Sequence, residues 1–73
     1  MILRLSHDLM FAMLEGNYPI HPMEDLSHLR PLIPQWLLDM AEEAAGSAII
    51  IVSQEEYDEV PPEARREMEV MAR

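Results

Sequence analysis

Ile49-Ile50-Ile51-Val52-Ser53-Gln54-Glu55-Glu56-Tyr57 is the stretch on which the fold turns. Its first four residues are apolar and branched at Cβ, which suits a pleated strand and crowds a helix. Ser53 follows, with Glu56 three residues on. That spacing is a capping box, in which each side chain accepts from the other residue's backbone N–H at a helix start. The stretch therefore reads strand, then helix. Because the strand is apolar on both faces, it is expected to be central or parallel, with both sides covered.

The same local order stands at the other end of the chain. Ile2-Leu3-Arg4-Leu5 is an apolar run, Ser6 a favoured N-cap, and Asp8 an acid in the first turn of a helix through Glu15. Gly16 suits a left-handed C-terminal position. Pro19 and Pro22 make the segment from Asn17 a loop. A short helix is expected from Met23 to Arg30, with Met23, Leu26 and Leu29 on one face and Pro31 as its stop. Pro34 opens a third helix, with Trp36, Leu37, Met40, Ala41 and Ala44 on its apolar side and Gly46 at its end. Pro61-Pro62 begin a last helix through Ala72, on which Ala64, Met68, Met71 and Ala72 form a stripe and Glu69 pairs with Arg73.

The expected architecture is a single α+β (or small α/β) domain, residues 1–73, of mostly short helices with one or two strands near 2–5 and 48–52. Its order is strand-helix-helix-helix-strand-helix-helix. If the strands run parallel, the three helices form a right-handed crossover between them. The alternative is a small helical bundle in which Met1 to Leu5 continue the first helix. Two strands alone make a weak sheet. Strand exchange or edge pairing between two copies would give four, so a homodimer is expected.

Charge bounds the partners. The chain carries a formal net charge of −9 and has no lysine, all five of its bases being arginine. Between Arg30 and Arg65 lie Asp39, Glu42, Glu43, Glu55, Glu56, Asp58, Glu59 and Glu63, with no base among them. Such a field repels DNA, RNA and anionic lipid and attracts basic protein surfaces. With no cysteine, the chain has no disulfide and no thiolate metal site. The longest apolar run, Ala48 to Val52, is too short to span a bilayer, and the start of the chain lacks the pattern of a signal peptide. Cytoplasm is the expected location.

No motif carries catalysis. Ser6-His7-Asp8 has the letters of a hydrolase triad, but a triad is a geometry, and consecutive side chains at a helix start point in different directions. His21, Glu24, Asp25 and His28 offer two metal ligands at helical spacing in several combinations, and never three. Gly16 and Gly46 are too far apart for a phosphate-cradling loop. No enzyme activity, metal or cofactor is expected, and no motif is specific enough to suggest a family.

What remains is binding. Met10, Met13, Met40, Met68 and Met71 fall on predicted apolar faces, where methionine fills cores or forms adaptable partner grooves. Trp36 is a core anchor or an interface hot spot. The expected function is that of a small, acidic, non-enzymatic regulator or inhibitor that binds a basic-surfaced protein through an apolar patch framed by acids. Trp36, Met40, Met68 and Met71 would supply the patch, and Glu55, Glu56, Asp58 and Glu59 the frame. Phage-encoded and antitoxin-like proteins are often of this type, which is analogy of class. Two alternatives are a nucleic-acid mimic, whose carboxylates occupy phosphate positions on a DNA- or RNA-binding protein, and a self-assembling structural subunit.

Overall fold

The structure, a computed structural model describing residues 1–73, is a three-stranded antiparallel sheet with short helices against one face. In chain order the elements are β1 (Ile2–Leu5), α1 (His7–Met13), a 3-10 segment (Ser27–Leu32), α2 (Gln35–Glu43), β2 (Ile49–Ile51), α3 (Gln54–Glu59), α4 (Pro62–Arg65) and β3 (Met68–Ala72). The α+β class is as the sequence indicates, and β1 excludes the all-helical alternative. The strand order is β2-β1-β3, so the first strand sits in the middle.

Both serine caps form as expected. Ser6 Oγ accepts from Leu9 N–H at 3.1 Å, and its hydroxyl also donates to Glu67 Oε1 at 2.7 Å. Ser53 Oγ accepts from Glu56 N–H at 3.1 Å while Glu56 Oε1 accepts from Ser53 N–H at 2.8 Å, closing the capping box. α1 gives way to a left-handed turn at Glu15 and Gly16, with φ of 53° and 83°. At the end of α2 the left-handed residue is Ala48 (φ 59°), not Gly46.

Several expectations give way. β2 is antiparallel to β1 and lies at a sheet edge, so no parallel crossover exists. The expected last helix stops after one turn, and residues 68–72 form β3 instead. Its helix-compatible spacing is outweighed by pairing: β1 has a second free side, and Met68 and Val70 face the core while Glu69 faces out. Glu69 consequently pairs with Arg4 across the strands rather than with Arg73 along a helix. The short helix begins at Ser27 rather than Met23 and runs through Pro31 to Leu32, forgoing at Pro31 the bond an N–H there would have made to His28 C=O. Met23 is almost fully exposed, whereas Leu26 and Leu29 are buried.

The core is entirely apolar. Leu3, Leu5, Ile50 and Met68 line the inner face of the sheet, against Leu9, Met10 and Met13 of α1, Leu37 and Ala41 of α2, and Val60 and Ala64 beyond α3. No polar or charged residue is buried. The long connection after α1 is held by side chains instead. Asp8 accepts from Met23 N–H and Glu24 N–H at 2.9 and 3.2 Å, and His7 Nδ1 meets the hydroxyl of buried Tyr18 at 2.8 Å.

Candidate protein-binding surface

The inner face of the sheet is filled and the outer face is bare. In the register, Ile2 stands between Ile51 on one side and Ala72 on the other, and Arg4 between Ile49 and Glu69. The outer face thus carries one apolar row and one row ending in the Arg4–Glu69 ion pair. Ile51 is 70% exposed and Ile49 38%. Met71, the extra residue of an irregularity opposite Ile2, adds a side chain 48% exposed. Side chains alternate on a strand, so an apolar residue at both Ile49 and Ile51 commits both to the same unburied face.

Around the β2 edge this face continues into a shallow groove of about 300 Å³, lined by Met40 and Glu43 of α2 and its C-cap Ala44 with Ser47 and Ile49 to Ile51. Met40 and Ala44 fall one turn apart on the helix, so their half-buried side chains form one wall. Acids flank it. Glu42 and Glu43 close α2 ahead of β2, and Glu55, Asp58 and Glu59 are exposed on α3 behind it.

The residues expected at the interface fare unequally. Met40 lines the groove, and Met71 lies on the bare face beyond β1. Trp36 is half-buried against the core, one turn of α2 before Met40. Met68 is a core residue, 9% exposed, and presents nothing to a partner. Glu55 and Glu59 are free, Asp58 accepts from Gln54 Nε2 at 3.0 Å, and Glu56 is occupied by the Ser53 cap. The expected patch is therefore split: the structure puts Met40 with Ile49 and Ile51, and leaves Met68 and Trp36 out of the groove. Ile49 and Ile51 belong to a β-branched run whose sequence alone suggests burial on both sides, which hides their place on the bare face. Arg4 held the clue, since a charge in the middle of one strand marks a sheet with a wet face.

Charges elsewhere are mostly uncompensated. Of the fourteen acids, only Glu15 and Glu69 have an arginine partner, Arg30 and Arg4. The Arg65 guanidinium lies 5.6 Å from the Tyr57 ring centre. Asp25 accepts from Ser27 N–H at 2.9 Å, and that bond, then the Ser27 hydroxyl, hold its carboxyl below the usual carboxylate range, with a smaller contribution from His28. No group of three or more His, Asp or Glu converges in a way that could hold a metal ion. Ser6, His7 and Asp8 serve three separate sets of partners, Leu9 with Glu67, Tyr18, and Met23 with Glu24, and form no relay. No helix is long and apolar enough to cross a membrane.

No family model matches the chain, and neither a curated protein nor a solved structure is significantly similar to it.

Proposed function

We propose that the protein is a small acidic regulator or inhibitor of the cytoplasm that acts by binding another protein through the bare face of its sheet. The observation that carries this reading is the apolar row in which exposed Ile51 and Met71 flank half-buried Ile2, on a face that no helix covers. Contiguous apolar surface of this kind on a small domain marks an interaction site. The apolar centre would supply most of the affinity, while the unpaired acids around it speed encounter with a basic surface and reject acidic ones.

A double variant, Ile51→Lys with Met71→Glu, tests it. Both side chains are exposed, so the fold should persist. In affinity capture from nuclease-treated lysate of the source cell, a partner held by the wild type should survive a high-salt wash and be lost with the double variant. A partner that binds both proteins equally overturns the apolar-face reading.

One observation favours a second reading. Glu55, Asp58 and Glu59 are all exposed, without arginine partners, on a single short helix. A nucleic-acid mimic would use them as stand-ins for phosphates. Its complex should dissolve in salt, because exposed charge pairs are screened beyond a Debye length of about 10 Å at 0.1 M. Glu55→Gln, Asp58→Asn and Glu59→Gln together should abolish it, with Glu56 left in place to hold the cap.

A further inference from the structure

The backbone of β2 is used on one side only. Leu5 N–H donates to Ala48 O at 2.8 Å, Val52 N–H to Met1 O at 2.9 Å, and the Met1 amine to Val52 O at 2.7 Å. Between them Leu3 stands opposite Ile50. Antiparallel strands exchange hydrogen bonds at every second residue, so Ala48, Ile50 and Val52 face β1. The N–H and C=O groups of Ile49 and Ile51 therefore point away from the sheet. Ser47 Oγ takes the Ile49 N–H at 3.3 Å, a long local bond. Ile51 N–H, Ile51 C=O and Ile49 C=O are left to the solvent side.

Edge strands in monomeric proteins usually carry a device against further pairing, such as a lysine, a proline or a bulge. β3 has one in the irregularity between its pairings to Ile2 and Leu3. β2 has only its length of three residues: Ile49-Ile50-Ile51 is uncharged and regular. Beside it runs the open groove of about 300 Å³ walled by Met40 and Ala44.

Charge selects what can lie there. Glu43 lines the groove at one end of β2, and Glu55, Asp58 and Glu59 follow on α3 beyond the other. A second copy docked antiparallel through its own β2 would set acids against acids at both ends, with −9 on each molecule. The accessible surface, 4580 Å², also matches the roughly 4600 Å² expected of a compact monomer of this mass, so no element is splayed out for exchange. A strand with basic ends meets attraction at both.

We propose that the free edge of β2 accepts an extended segment of a partner protein as a fourth strand, β-branched and apolar at its centre and carrying lysine or arginine at both ends. Backbone bonds to Ile49 and Ile51 supply the pairing. Alternate side chains of the segment fill the Met40–Ala44 groove and extend the Ile49–Ile51 row. This rests on the protein-binding reading above and specifies its mode.

The probe is a synthetic peptide, acetyl-Lys-Lys-Thr-Ile-Val-Ile-Thr-Lys-Lys-amide, titrated into the isotope-labelled full chain and followed by amide exchange. Ile51 N–H exchange should slow by about tenfold or more, while the Ile50 amide, already bonded to β1, changes little. The same peptide N-methylated at alternate residues, and one with glutamates replacing the lysines, should leave Ile51 unchanged. Three results overturn the proposal: no slowing at millimolar peptide, equal binding of the N-methylated peptide, or Ile51 protection that grows with protein concentration alone as the chain sediments as a dimer. If the peptide fails while captured partner still depends on Ile51 and Met71, face binding stands and edge addition falls. If both fail, the protein-binding reading falls with it.

Discussion

Two glycines show how differently a single residue can matter here. Gly16 sits at φ 83°, a conformation that resists any Cβ, and an added methyl would also meet Phe11 Cζ at 3.6 Å. Gly46 has no positive φ, and a Cβ there would meet nothing within 4 Å. Gly16→Ala should therefore destabilise by about 1–2 kcal/mol. Gly46→Ala should stabilise by about 0.4–1 kcal/mol, through loss of unfolded-state freedom. Urea titrations of the two variants should move in opposite directions. Ser53→Ala should cost about 1 kcal/mol by opening the capping box. Asp25 gives a pH signature. Its carboxyl is lowered in the folded chain, so its contribution to stability is present above the ordinary aspartate value and fades as pH falls through the lowered one. The difference in urea midpoint between wild type and Asp25→Asn should accordingly shrink below about pH 4, and its carboxyl carbon should titrate in the same window by NMR.

Among the elements, β2 and β3 carry the sharpest tests. On β2, neighbours differ in depth: Ile50 is 4% exposed and Ile51 70%. Ile50→Ala should cost about 2–4 kcal/mol, and Ile51→Ala less than about 0.5 kcal/mol. On β3, Glu69 stands opposite Arg4 in the phase that bonds to β1, as Glu67 does through Ser6 N–H to Glu67 O at 2.8 Å, while the backbone N–H of Val70, whose side chain enters the core, points away from β1. Amide exchange should be slow at Glu69 and fast at Val70. A helix through Ala72 would protect both alike. The caps, the first two strands and α2 were legible because each is fixed by neighbours in sequence: a serine with an acid three on, a branched run, an apolar stripe. β3 was not. Met68-Glu69-Val70-Met71-Ala72 alternates in and out over too few residues to defeat its helical spacing, and the free side of β1 that captures it lies 65 residues away. The bare apolar row is illegible for the same reason, since Ile49 and Ile51 look like core until it is known that nothing covers them.

For the whole molecule the dominant long-range term is self-repulsion. Both arginine–carboxylate pairs are well exposed, with side-chain accessibilities of 53% and 61% for Arg4 and Glu69 and 37% and 65% for Arg30 and Glu15. Such pairs contribute little. The remaining acids push against one another across a small body with a radius of gyration of 11.0 Å, close to the Debye length at moderate salt. Added sodium chloride should therefore raise Tm. A gain of about 1 kcal/mol corresponds to about 4–8 °C at this size. A flat or falling Tm would mean that the two ion pairs outweigh the repulsion. The strand order has a consequence for how the chain is made. β1 supplies the middle of the sheet, yet its partners follow at separations of 51 residues for Met1 and Val52 and 65 for Arg4 and Glu69. At about 5–20 residues per second, a ribosome needs several seconds between the first strand and the last. Until β2 is made Ile2 to Leu5 have no backbone partner, and until β3 follows they have only one, so nascent-chain chaperones that shield short apolar segments would meet this protein before its sheet can close.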